Sequence, residues 1–564
     1  FGATLPLAAR VAAVGRPGAG TGAVFAFNTL GAVLGAATSL PLLVPLLGLD
    51  GVHQAGATVL AALGLALGVV SGGRRARWGL VGLSLVALLG PLVVPVSWDP
   101  RELSAGAFRM RERKADTREA FRARLHRSEL LFHADGPDAT VAVLGREGER
   151  VLTVNGKPDA STRGDMVTQV TSAHVPLILH GDPKTALVVG LGSGVTVGSA
   201  LHHPGLVVDV VEVSRAVVDA SRLFDHISGA PLDDPRVHLS VDDVRSDLRR
   251  RPEARWDVIV SEPSNPWVAG NAGLFSVEFF SLLARHLSPE GVAAQWVQRY
   301  ETDDASLKMV IRSFAQAFAH VEVWQLYPTD LLLVGRQSAP RADLPRMQQR
   351  AQTPTIAADL ERVGLPGLHG LLSLQAMSAA GVADLLAPPG PVHTDDHPRL
   401  EFEGPRRLYA GARSSLIAEH DVRVGRSQPG TWRMPLLGPP PVGVLEQLFV
   451  FHTTYPGAPP AWRLGFVPRL VSESDRAFLV DLLFTLAEEA RWAQVAPVAD
   501  RLLSIAPDDP RALYVVARAR HAHLVAMGTD SGSPQWSAIA ALVARCIDLG
   551  DEPRRRCARL SGRL

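Results

Sequence analysis

Cysteine is almost missing from this chain of 564 residues, which has only Cys546 and Cys557. Two cysteines make neither a metal-ligand quartet nor a disulfide framework, and they read as ordinary thiols. An excess of either charge is missing too. The 57 basic and 56 acidic residues nearly cancel, which removes the bulk attraction that nucleic-acid binding depends on. No nucleic-acid partner is expected. The length suggests roughly two to four domains.

Charge of any sign is scarce at one end. Before Asp99 the only charged residues are Arg10, Arg16, Asp50, Arg74, Arg75 and Arg77. Between them run three uncharged stretches, 17–49, 51–73 and 78–98, each able to supply the ~20 apolar residues of a membrane-crossing helix. Trp78 and Trp98 bracket the third as interfacial aromatics do. Pro41, Pro45, Pro91 and Pro95 would break soluble helices but are tolerated in packed membrane helices. The polar face a soluble bundle needs is absent, so 1–98 reads as a transmembrane helical domain with the lipid bilayer as partner. The chain opens on Phe1, and FGATLPLAAR reads as the tail of an earlier span, so a longer protein is expected. No small-residue cleavage site suggests a removed signal peptide.

After Pro100 the composition changes. Residues 99–182 read as a charged linker followed by a small β subdomain, with ATVAVLG and RVLTVNGK as strands around a turn at Gly148. Residues 183–337 alternate strand and helix. TALVVG, VVDVVEV, RVHLSV, DVIVS and GVAAQWV each precede a helical pattern, and VEVWQLY with DLLLVG reads as a closing hairpin. Such alternation predicts an α/β fold with a mostly parallel sheet between helices. Residues 338–440 are proline-rich and read as irregular. Residues 441–564 read as a helical cap, with one helical-hairpin-like copy that does not make a solenoid. Its helices are a surface for a protein partner.

Chemistry gathers where the strands run out, which is where open α/β sheets bind ligands. The first strand ends in VVGLGSGVT, with Gly190, Gly192 and Gly194 before a helix. Glycines let a backbone approach a ligand closely, and the spacing G-x-G-x-G differs from the dinucleotide fingerprint. A tight structural turn would read the same way. The second strand ends at Glu212, where an acid can accept hydrogen bonds from ribose hydroxyls. The third is followed by Asp242 and Asp243, placed to meet an adenine amino group. The fourth delivers SEPSNPW, 261–267. Together these four ends predict a nucleoside site.

The segments VNGKPDAST, HVPLILHGDPKTALVVGLGSGVT, DVVEVSRAVVDASR, DDPRVHLSVDD, WDVIVSEPSNPW and LFSVEFFSLLARHLSPEGVAAQWVQ resemble the spermidine synthase (polyamine aminopropyltransferase) family, from about Leu152 to Gly335. FAFNTLGAVLGAATS and HTDDHPRLEFEGPRRLY extend the resemblance to bacterial proteins that fuse a transporter-like membrane domain to a spermidine-synthase-like domain. The implied fold is a Rossmann-like methyltransferase-type sheet with a small N-terminal β subdomain, preceded by transmembrane helices and followed by a helical region.

The implied activity is transfer of an aminopropyl group from decarboxylated S-adenosylmethionine to a polyamine or other small amine, with no metal. Carried over by position, the resemblance gives Gly190, Gly192, Gly194, Glu212, Asp242 and Asp243 to the nucleoside. The family's amine-gripping Asp in the glycine turn is Ser193 here. The second Asp of its D-x-x-D-P loop is Asn265, which cannot act as a base, and Glu262 is the remaining candidate. Asp165 and Gln169 correspond to amine-binding positions, and the family's tyrosine there is absent. Asp395 and Asp396 in HTDDHP are candidates to fold back and restore acidity. An Asx turn, or a metal held by His393, Asp395 and His397, are alternatives.

Two other functions stay open. Ser193, and SNPW as a stretch similar to the N-P-P-W loop of amino-methyltransferases, fit a methyltransferase using S-adenosylmethionine itself. The missing acids fit a non-catalytic transporter or sensor that binds a nucleoside or polyamine. A homodimer is also left open. Placing the Arg74–Arg77 loop in the cytoplasm puts Asp99 outside, whereas supply of the adenosyl donor requires the cytoplasm. The expectation is a bacterial inner membrane with the soluble domain on the cytoplasmic side.

Overall fold

The computed structural model describes residues 4–13, 17–70, 78, 81–82, 84–86, 98–106, 117–339, 343–417, 440–454, 465–529, 533–548 and 557–560. The third apolar stretch, 78–98, thus lies largely outside the described residues. The first two form helices Pro17–Thr38 and Val44–Val70, joined by a π-helical turn, Ser39–Leu43. Pro41 sits in that turn, and Gly48 breaks the following helix with φ 69° and ψ 172°. Where the sequence suggests two spans, the chain makes one kinked helical run, Gly18–Ala66, which is long and apolar enough to cross a membrane.

Two sheets follow. The first is antiparallel in the order β1-β2-β3-β4, formed by Glu129–Asp135, Thr140–Arg146, Glu149–Val154 and Lys157–Ser161. Its edge touches the helical run, because Leu49 N donates to Asp135 Oδ2 at 2.9 Å.

The second sheet has eight strands: β5 Thr185–Val189, β6 Val207–Glu212, β7 Val237–Val241, β8 Trp256–Ser261, β9 Leu287–Gln298, β10 His320–Tyr327, β11 Asp330–Arg336 and β12 Gln375–Met377. Their order is β12-β10-β11-β9-β8-β5-β6-β7. Pairs from β7 to β9 are parallel, and β9-β11, β11-β10 and β10-β12 are antiparallel. The β-branched run Val258-Ile259-Val260 is buried, as a central strand covered on both faces requires. The alternating motifs of 183–337 therefore form the expected α/β sheet.

Chain order reverses between β5 and β8, so crossovers leave in opposite directions and open a crevice at the strands' C-terminal ends. Register brings those ends level. Val189 pairs with Ser261, and Glu212 with Val241. The glycine turn, Glu212, the Asp242-Asp243 pair and the 261–266 loop therefore leave the sheet at one edge.

Two expectations need correction. Proline-rich residues 344–410 are largely helical, with Leu344–Ala351, Pro354–Arg362, Gly367–Leu372, Ala379–Leu386 and Arg399–Ala410. Pro354 occupies a first helical turn, where its missing N–H costs nothing. Cys546 and Cys557 are not two thiols; they form a disulfide across 11 residues. The C-terminal region is helical as expected, from Val442–Thr454 to Pro534–Asp548.

Candidate active site

A cavity of about 920 Å³ opens at this edge of the sheet, within the size range of small-molecule sites, roughly 300–1,000 Å³. Its walls come from the glycine turn, the ends of β6 and β8, and β3 and β4 of the small sheet.

At one end Gly190 takes φ 93°, which only glycine adopts readily. A Cβ there would stand 3.0 Å from the Glu262 carbonyl oxygen, so the turn and the β8 loop are in direct contact. Glu212 is buried. Its Oε2 accepts from Leu191 N at 2.8 Å and its Oε1 from Ser214 N at 2.9 Å. Desolvation raises its pKa, and the two amides oppose the shift. Asp243 caps helix Val244–Arg250, with Oδ1 accepting from Ser246 N at 2.9 Å. Asp242 accepts from Asp243 N at 2.8 Å and pairs with Arg250. All of these except the helix residues Ser246 and Arg250 line the cavity, as does Gly192. Gly194 does not. It is the N-cap of Val195–Leu201, with φ 80°, and shapes the turn from behind.

The other end collects carboxylates. Glu262, half-buried, is pushed up to about 7 by desolvation, reinforced by Asp165 and Asp330 and opposed by the hydroxyls of Ser172 and Thr196. Asp165 is pushed up to about 6 by burial, while hydrogen bonds from Ser161 hold it down. Ser161 N donates to its Oδ2 at 3.1 Å and Ser161 Oγ to its Oδ1. Asp330 is raised by burial and accepts from Thr168 Oγ1 at 2.8 Å. Beside them Lys157 pairs with Asp159, which also accepts from Ser264 Oγ at 2.8 Å. Ser193 is buried and donates to Gln169 Oε1, while Gln169 Nε2 donates to Ser161 O at 3.0 Å. These two line the cavity with their polar groups already engaged.

Besides Gly194, four residues singled out in the sequence lie elsewhere. Asn265 is fully buried and does not line the cavity; a turn in which Val268 N donates to Asn265 O at 3.0 Å carries its side chain toward Tyr300, whose hydroxyl donates to Oδ1 at 3.4 Å. Asp395 is held by Arg245 at 2.6 Å and does not reach the cavity, and exposed Asp396 does not line it either. Arg245 also binds the Gly273 carbonyl and Ser276 Oγ, so HTDDHP braces the cavity wall from outside. His393 is buried with Nε2 on Ala272 O at 2.8 Å and Nδ1 accepting from Leu400 N at 3.3 Å. Both ring nitrogens thus serve the backbone instead of a metal.

Asp159, Asp330, Lys157, Tyr300 and Tyr327 line the cavity without having been singled out. Tyr327 and Asp330 bracket the β10–β11 hairpin, and only the position of β11 in the sheet brings them here.

A consequence follows for Asn265→Asp, the change that would rebuild a D-x-x-D-P loop. It is expected to leave activity no higher and to destabilise the fold by about 1–3 kcal/mol, since it buries a carboxylate beside a single donor. Thermal unfolding with an activity assay checks this.

Residues 166–331 match the spermine/spermidine synthase domain. The match covers the glycine turn, Glu212 and the β8 loop but leaves Lys157, Asp159 and Asp165 outside. A spermine synthase of Arabidopsis thaliana is 31% identical over 182 residues, which is 32% of this chain and 50% of that protein. Putrescine N-methyltransferase 1 of Nicotiana tabacum is 29% identical over 170 residues, 30% of this chain and 45% of that protein. The crystal structure of spermidine synthase from Thermotoga maritima is 22% identical, covering 38% of this chain and 75% of that chain with a TM-score of 0.34. The chain spans about half the length of the curated relatives it matches.

Proposed function

We propose that this cavity binds decarboxylated S-adenosylmethionine and transfers its aminopropyl group to an amine. The observation that carries the proposal is the division of one cavity, with Glu212 and Asp243 beside the glycine turn at one end and half-buried Glu262 and Asp165 with buried Asp330 at the other. The first end suits a nucleoside; the second suits a cation that must lose a proton.

Glu262 takes a proton from the acceptor ammonium, whose free pKa is about 10. A base poised near 7 is suited to that task. The freed nitrogen lone pair forms the new N–C bond as the C–S⁺ bond breaks, and its electron pair leaves the sulfur a neutral thioether. Asp165 and Asp330 offset the positive charge, and the cavity walls hold nitrogen, carbon and sulfur in line.

Ser193 favours a second reading. Its hydroxyl, engaged with Gln169, offers no charge to grip a donor's amine, which fits intact S-adenosylmethionine and methyl transfer. Calorimetric titration of the detergent-solubilised full chain with each donor, with and without an amine, separates the readings. Tighter binding of the decarboxylated donor, strengthened by the amine, is expected. Preference for the intact donor would move the activity to methyl transfer. Binding of neither would leave a domain without this chemistry.

The N-terminal region is proposed as a membrane anchor, in a bacterial inner membrane with the domain facing the cytoplasm, where adenosyl donors are made. Support comes from the apolar side chains that Gly18–Ala66 leaves uncovered, among them Phe25, Phe27, Leu30, Val33 and Leu34.

A further inference from the structure

We propose that Lys157 fills, from within the chain, the place that a second substrate ammonium would take, so that the site selects an acceptor with one ammonium group over a linear diamine or polyamine. The inference rests on the amine-transfer reading above and narrows it.

Lys157 opens β4, is buried, and lines the cavity. Its ammonium is paired with Asp159, stands 3.3 Å from Ser264 Oγ, and lies 5.7 Å from the centroid of the Trp296 ring. A carboxylate, a hydroxyl and an aromatic face around one alkylammonium are the parts from which a protein builds a site for such a cation. Here the alkylammonium belongs to the chain. Ser264 is in the β8 loop, two residues from Glu262 in sequence, and the charge of Lys157 is felt by Asp330, so the built-in cation belongs to the same carboxylate-lined part of the cavity.

Charge in the rest of the pocket agrees. With Asp159 neutralised by Lys157, the carboxylates left at this end are Asp165, Glu262 and Asp330. All three are desolvated; Asp165 is repelled by Asp330, Glu262 by both, and Asp330 is partly offset by Lys157 itself, which favours partial protonation over three full charges. One incoming ammonium relieves that repulsion. A second, a few methylenes away, would meet the Lys157 ammonium in a dry pocket, where like charges are strongly unfavourable. Lys157 and Asp159 both lie outside the stretch that matches the synthase domain, so this feature is supplied by the small sheet of this chain.

The test compares two acceptors of equal length that differ by one ammonium, 1-aminobutane and 1,4-diaminobutane. Both are assayed with the full chain in detergent at saturating decarboxylated S-adenosylmethionine. Wild type is expected to favour the monoamine in kcat/KM by about tenfold or more. Lys157→Met keeps an unbranched stem and removes the charge, and it is expected to erase or invert that ratio. Because the readout is a ratio within one preparation, partial loss of folded protein cancels. The wild-type comparison needs no variant at all.

Wild-type preference for the diamine overturns the proposal and leaves aminopropyl transfer standing. A monoamine preference unmoved by Lys157→Met removes Lys157 as its cause and overturns the proposal as well. Absence of product with either amine overturns transfer itself, and the proposal with it.

Discussion

Glu262→Gln is expected to lower turnover between about 100- and 10,000-fold, the range for loss of a positioned general base, with little change in donor affinity. Glutamine keeps the shape of the side chain and its hydrogen-bonding reach but cannot take a proton. The pH profile carries the sharper signature. On the proposed mechanism kcat requires the ionised carboxylate, so the rate should rise through about pH 7, where burial and the neighbouring acids place this group. That limb should be missing from whatever rate the variant retains. Stability moves the other way. The folded pKa stands above the ordinary 4.5, so the native state binds more protons than the unfolded state between those two values. Stability is therefore lost as pH rises through that window. The glutamine variant escapes this, and its Tm at pH 8 should exceed that of wild type. Full activity in the variant would transfer the role of base to Asp165 or Asp330.

The second large effect is expected at the other end of the cavity. Glu212→Gln should weaken donor binding about 100-fold, the sum of a lost charge-assisted hydrogen bond and a frustrated turn. In wild type both carboxylate oxygens accept from backbone, from Leu191 at 2.8 Å and Ser214 at 2.9 Å, which clamps the glycine turn to the end of β6. An amide presents one acceptor and one NH₂. One of the two backbone N–H groups must then face a donor, at a cost of about 1–3 kcal/mol for a buried unsatisfied group. Calorimetry with the donor measures the effect, and a thermal melt shows how much of it is loss of fold. Unchanged affinity would remove Glu212 from the donor site.

The end of the cavity proposed for the nucleoside was legible because its signals are local. A β-branched strand, a glycine turn at φ 93° and an acid at the next strand's end are each written in a few consecutive residues, and parallel register does the rest. The end proposed for the amine was less so. Asp330 reads as the start of a hairpin strand and becomes a site residue only because β11 is inserted between β9 and β10. Asn265 reads as a site residue because its loop leaves β8 at the right edge, yet one backbone turn rotates it into the core beside Tyr300. In 344–410, proline density misled because proline at a helix start and proline in a loop look alike in composition. Neither could be decided from spacing alone.

The bond between Cys546 and Cys557 gives the chain a built-in record of its surroundings. It ties the last long helix, Pro534–Asp548, to the described turn of helix at 557–560. On the cytoplasmic face proposed above, the thiol pool would hold both cysteines reduced and leave that tie open. On the opposite face the same residues would be joined. Alkylating thiols in intact cells before lysis, then counting tagged cysteines on a gel, reads which side of the bilayer the domain occupies. These are the two cysteines of this sequence, so a chain of this sequence expressed for the test gives a signal from that pair alone.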